Sequence, residues 1–155
     1  MRIAIPKESH PGERRVAASP ESVKKLKGLG FSVTIESGAG DDAHYPDRLY
    51  VDAGATIEND PKTLYANAQI LLKVRPPCER DGLGHEVDLL KPGSTLLSFI
   101  YPARSPELLQ KLTANKIQCL AMDMVPRISR AQKLDALSSM ANIAGYRAVI
   151  LAANH

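Results

Sequence analysis

Tryptophan is missing from this chain, phenylalanine occurs twice, and aromatic residues make up 5% of it. That excludes the usual nucleic-acid surface, in which basic side chains alternate with aromatic rings that stack on bases. A dominant charge is lacking too. Lys and Arg number 20 against 17 Asp and Glu, and they are scattered, so neither nucleic acid nor an acidic membrane surface is an expected partner. Cys78 and Cys119 have no metal-ligand spacing, and His10, His44, His85 and His155 are isolated from one another. No metal site is expected. The chain shows no signal peptide, and its two thiols suit a reducing cytosol. No run approaches the roughly 20 consecutive apolar residues that span a bilayer, so the segment itself is expected to be soluble.

What is present is an ordinary globular composition, 44% hydrophobic and 24% charged over 155 residues, enough for one domain with a real core. Apolar runs alternate with helical periodicity. RIAIP (2–6), FSVTIE (31–36), TIE (56–58), ILLKV (70–74), STLLSFI (94–100) and IQCLAMDM (117–124) read as strands. Ser19-Pro20-Glu21, Asp60-Pro61 and Ser105-Pro106-Glu107 each supply a capping side chain, a proline at the first helical position and, in two cases, an acid in the first turn. Val23, Leu26 and Leu29 form the buried stripe of the first helix, with Gly30 as its stop. A short helix follows Pro46, and one turn of helix is expected in EVDLL within the polar stretch 78–91. The last helix starts near Asp135 and runs to the terminus without a glycine stop, as though leading into further chain. Its stripe of Leu137, Met140, Ala141, Ala144, Ala148 and Leu151 is expected to pack partly on the home sheet. Alternation of this kind implies a doubly wound α/β sheet, mainly parallel.

Ligands of such sheets bind beyond the carboxyl ends of the strands. Four polar loops fall there: 7–15, 75–80, 101–104 and 126–133. SGAGDDA (37–43) has the glycines of a phosphate turn but runs into Asp41 and Asp42, which repel phosphate, so it reads as a packing turn. RISRAQKLD (127–135) is the densest polar loop. Arg127 and Arg130 present forked donors for phosphate or carboxylate. Gln132 both donates and accepts, as a carboxamide partner must, and Asp135 accepts only. A nicotinamide ribonucleotide offers the matching groups. A solvated loop with Asp135 capping the helix accounts for the same residues, and the pattern alone does not choose between the two.

MRIAIPKESHPGERRVAASPESVKKL and PRISRAQKLDALSSMANIAGYRAVI resemble the N-terminal region of the alpha subunit of proton-translocating NAD(P) transhydrogenase, a family that shares its fold with alanine dehydrogenase. The resemblance covers essentially the whole chain. It implies a Rossmann-like lobe (1–155, with the final helix at about 135–155 cut short), and a second lobe with the glycine-rich fingerprint that is absent here. It also implies that Arg127, Gln132 and Asp135, with Ser138 behind them, reach the nicotinamide of NAD(H), and that Ile128, Ser129, Arg130, Lys133 and Leu134 are secondary contacts. Partners implied are that second lobe, an NADP(H)-binding component, membrane components on the cytoplasmic side of a bacterial inner membrane, and a homodimeric mate.

Two alternatives stand beside this: an alanine dehydrogenase-like lobe, and a non-catalytic α/β module that dimerises through its small-residue helix. Alanine dehydrogenases use a lysine and a histidine to move protons. The aligned positions here are Arg75 and Tyr101, and arginine cannot act as a base. Lys73 lies on the same strand face as Arg75 and keeps the question open. Arg15 matches an arginine that binds substrate carboxylate in those enzymes, and is read here as an ion-pair partner.

Overall fold

The structure, a computed structural model, describes residues 1–154. In chain order its strands are β1 (Arg2–Ile5), β2 (Ser32–Glu36), β3 (Thr56–Glu58), β4 (Ile70–Leu72), β5 (Glu79–Arg80), β6 (Gly84–His85), β7 (Thr95–Ser98) and β8 (Gln118–Ala121). The helices are α1 (Pro20–Gly28), α2 (Asp47–Asp52), α3 (Pro61–Asn67), α4 (Pro106–Ala114) and α5 (Ala136–Ala153). Six strands form one parallel sheet in the order β3-β2-β1-β4-β7-β8. The chain winds outward from β1 in both directions, as in a Rossmann fold, which places the topological switch between β1 and β4.

Successive strand residues point to opposite faces, and the two cores follow from that rule. Ile3, Ile5, Val33 and Ile35 pack with Val23 of α1 and Tyr50 of α2. Ala4, Leu71 and Leu96 pack with Leu64 and Tyr65 of α3 and Leu112 of α4. The caps expected from Ser19 and Asp60 form: Ser19 Oγ accepts from Ser22 N, and the Asp60 carboxylate accepts from Lys62 N and Thr63 N.

Several expectations are corrected. Leu29 does not join the buried stripe; α1 ends one residue earlier, and Leu29 is a 74% exposed cap position. Ser105 makes no capping hydrogen bond, because the 3-10 turn Pro102–Arg104 delivers it with φ −131° and ψ 51°. The stretch 78–91 holds an antiparallel hairpin, β5–β6, ahead of its expected helical turn at Glu86–Leu89. The last strand stops at Ala121, where a 3-10 turn at Met122–Met124 begins. The largest departure is α5. None of its residues is buried, so its apolar stripe does not pack on the home sheet. At 18 residues with mean hydropathy 1.2, α5 is also long and apolar enough to cross a membrane by length and composition alone. Counting consecutive apolar residues hides this, because Ser138, Ser139, Asn142 and Arg147 interrupt the run. His155, where the helix was expected to continue, lies outside the described residues.

Candidate functional site

Beneath the carboxyl edge lies a group of buried charges. Lys73, just past β4, is fully buried, with Nζ 2.9 Å from Glu86 Oε1 and 3.5 Å from Glu8 Oε2. Glu86 Oε1 also accepts from Tyr65 Oη at 2.7 Å, and its Oε2 accepts from Cys78 N at 3.1 Å. Glu8 accepts from Val74 N and Arg75 N, tying the loop after β1 to the strand beside it. Burial, followed by the Glu86 charge, pushes the Tyr65 phenol upward, so it stays a donor. Arg80 pairs with Glu36, which accepts also from Lys7 N at 3.0 Å. No buried side-chain nitrogen or oxygen lacks a partner among the described residues. Lys73 is thus committed to two carboxylates and is not a free base.

Nearer the surface, Glu13 lies between Arg15 and Arg75, its Oε2 accepting at 2.6 Å and 2.7 Å from the two guanidinium groups. The Arg15 hydrogen bond is the main reason that the Glu13 carboxyl is held down at about 2. Arg15 is the ion-pair partner its sequence context suggested. It also reaches α5, with Nη1 2.8 Å from Met140 Sδ. Glu13 escaped the sequence reading, although its place two residues before Arg15 is a usable signal.

At the end of β7 the backbone of Tyr101 turns left-handed, with φ 52° and ψ 62°. Left-handed geometry costs a non-glycine residue roughly 1–3 kcal/mol, and a following proline disfavours helical values further. Asp123, beyond β8, holds this turn: its two oxygens accept from Ile100 N at 2.7 Å and Tyr101 N at 2.9 Å. The Tyr101 ring stacks on Phe99, centroids 6.3 Å apart. Asp123 was not singled out from sequence, since an acid within MDM carries no mark of its contacts.

The loop 126–135 leaves the sheet from that point. Arg127, Ile128, Ser129, Gln132, Asp135 and Ser138 line one open cleft of ≈ 250 Å³. Arg127, Arg130, Gln132 and Lys133 are exposed, and none of their side chains makes a hydrogen bond or ion pair within the described residues. Asp135 caps α5, accepting from Ser138 N at 3.1 Å and Ser138 Oγ at 2.6 Å. The Ser138 hydroxyl, more than the nearby Arg127, lowers the Asp135 carboxyl, which is therefore ionised at neutral pH. The capping reading thus holds for Asp135 and leaves the other polar groups of the loop unspent. Leu134 is exposed on the same loop.

SGAGDDA is a packing turn, as read. Gly38 N and Ser37 Oγ donate to the Asp47 carboxylate at 2.9 Å and 2.7 Å, so a side chain occupies the place an anion would take. A Cβ on Gly40 would lie 2.4 Å from Tyr45 O, which only glycine avoids. No group of three or more His, Cys, Asp or Glu suited to a metal occurs among the described residues.

Comparison with known proteins shows the family and agrees with the fold. The profile of the family described as "Alanine dehydrogenase/PNT, N-terminal domain" matches residues 4–144. NAD(P) transhydrogenase subunit alpha of Haemophilus influenzae is 48% identical over 154 residues, 99% of this chain and 29% of the relative. The crystal structure of transhydrogenase from Sinorhizobium meliloti superposes with a TM-score of 0.90 at 41% identity, covering 99% of this chain and 42% of that one. An L-alanine dehydrogenase structure superposes less closely, with a TM-score of 0.76 at 30% identity over 85% of this chain and 35% of that one. This chain therefore spans under half the length of these relatives, and it belongs to the alanine dehydrogenase/PNT N-terminal domain family.

Proposed function

We propose that the chain is the first lobe of the NAD(H)-binding component of a proton-translocating NAD(P) transhydrogenase, and that the loop 127–138 meets the nicotinamide end of the cofactor. The observation that carries this is the cleft walled by Arg127, Ile128, Ser129, Gln132, Asp135 and Ser138, in which the polar side-chain groups of Arg127 and Gln132 make no hydrogen bond or ion pair among the described residues. Bound NAD(H) would supply the hydride, and NADP(H) on a partner component would exchange it.

The residues here bind and orient. Gln132 offers an acceptor and a donor to a carboxamide, which fixes the ring's rotation. Arg127 and Arg130 offer forked donors to ribose or phosphate oxygens, and Lys133 adds a charge. Asp135 fixes the helix start, and with it the place of Ser138. None of these groups needs to take up a proton at neutral pH, which suits a transfer between two nicotinamides held at near-attack distance with water excluded. The fingerprint-like glycine turn at 37–43 offers no cradle for the pyrophosphate, since the Asp47 carboxylate fills it. That half of the cofactor is assigned to a second lobe in the longer protein.

An alanine dehydrogenase reading needs a residue that titrates between substrate and water. Arg75 cannot, and Lys73 is paired with Glu86 and Glu8. Helix α5 is assigned to packing against protein. Arg147 would be costly near the centre of a bilayer, about 2.5–3.5 kcal/mol, whereas Ala141, Ala144, Gly145 and Ala148 let another backbone approach closely. The mate could be the second lobe or a second copy, and membrane components on the cytoplasmic side would complete the complex.

The test is transient hydride transfer in the assembled full-length enzyme carrying Gln132→Asn or Asp135→Asn. Both are expected to slow transfer more than they weaken NADH binding. Wild-type rates for both would defeat the assignment.

A further inference from the structure

We propose that Asp123 is a positioning residue for the transfer step, rooting the loop 126–138 in the sheet by clamping the end of β7. The inference rests on the reading of that loop as the nicotinamide contact. Strands β7 and β8 pair in parallel register, Ser98 opposite Ala121, so Tyr101 and Asp123 lie just past the last paired residues. From there to Ser139 every hydrogen bond of the segment is internal to it: Ile128 N to Pro126 O, Ala131 N to Ile128 O, Asp135 N to Gln132 O, and the Asp135 cap. Among the described residues, hydrogen bonds tie this segment to the body at two places. One is Asp123, through Ile100 N and Tyr101 N; the other is Met140, through Arg15.

Of these anchors Asp123 is the stiffer. Both carboxylate oxygens are engaged with backbone amides, and the backbone they hold is in a conformation that tyrosine before proline does not choose by itself. Replacing the acid by an amide leaves one acceptor and turns an N–H₂ toward a backbone N–H. The Tyr101 turn, which lines one open cavity with Pro102, Arg104, Asp123 and Met124, then relaxes, and the loop origin moves with it. A shift of the order of 1 Å at a reacting group costs about 10²-fold in rate, so a small displacement suffices.

The experiment uses the full-length, assembled enzyme with Asp123→Asn, Gln132→Ala and the double substitution. It measures the transient hydride-transfer rate, NADH binding by calorimetry, and the folded fraction by thermal melting. Asp123→Asn is expected to slow transfer about tenfold or more per folded molecule, with NADH affinity changed less than about threefold. In the Gln132→Ala background its effect should shrink at least about threefold, because both substitutions act through one loop. If Gln132→Ala leaves the rate unchanged, the loop reading itself fails. Should Gln132→Ala slow transfer while Asp123→Asn acts additively, or only in proportion to lost folded protein, the positioning role is overturned. Asp123→Glu, which keeps two oxygens on a longer stem, is expected to recover part of the rate; a rate no better than that of Asp123→Asn counts against the clamp.

Discussion

Lys73 and Arg127 both lie on the carboxyl side of a parallel strand and both carry a positive charge, yet they occupy opposite situations. Lys73 is fully enclosed, bonded to one carboxylate and near a second, with Tyr65, Ser9 and Cys78 completing the set around Glu86. Arg127 stands in the open with no partner among the described residues, next to Gln132 in the same state. A buried charge without partners is strongly destabilising, so complete satisfaction at Lys73 marks a structural role. An exposed polar group costs nothing to leave unused, so a row of them along one cleft is where a ligand finds donors and acceptors free.

The contrast can be broken most violently at Glu86. Glu86→Ala leaves Lys73 with only Glu8 and strips Tyr65 of its acceptor, and is expected to cost about 3–5 kcal/mol in urea unfolding. A loss below about 1 kcal/mol would make the buried group no more structural than the loop. Tyr65→Phe removes one hydrogen bond to a charged acceptor while keeping the ring, and should cost about 1.5–3 kcal/mol.

Glu13 lies between the two extremes, and pH sharpens its place. Its folded carboxyl is held near about 2 against an ordinary value of 4.5. A depressed acid contributes stability that is complete above the unfolded value and is lost as pH falls toward the folded one. Wild-type stability should therefore decline between about pH 4.5 and pH 2 more steeply than that of Glu13→Gln, read from melting temperature across the range. Parallel curves would remove Glu13 from the ion cluster. The smallest effect belongs to the loop: Arg130→Ala and Gln132→Ala should each change stability by less than about 0.5 kcal/mol, since neither side chain makes a hydrogen bond or ion pair among the described residues.

Much of the fold was legible because local signals agreed. The caps at Ser19 and Asp60, the period-two run of 31–36, the short apolar run of 70–74, and the prolines that start α1, α3 and α4 all point to the elements observed. What failed depended on distance. Leu29 and Ser105 carry the right residue type, and only the chain's exit path decides that one is exposed and the other does not cap. The stripe of α5 predicts a buried face, but periodicity does not say which surface covers it. At the site, Arg127, Gln132 and Asp135 are contiguous enough to be seen together. Asp123 and Tyr101 are 22 residues apart and meet only through the β7–β8 register, so no reading of either stretch alone joins them.

The central claim is that the loop touches the nicotinamide and not another part of the cofactor. Amide and side-chain NMR of the full-length alpha subunit, titrated in parallel with NADH and with ADP-ribose, isolates that ring. The account predicts that the Gln132 carboxamide and the amides of 127–138 shift with NADH and stay in place with ADP-ribose, while the signals of Lys73 and its neighbours respond to neither. Equal shifts with both ligands, or none in the loop with NADH, would contradict it.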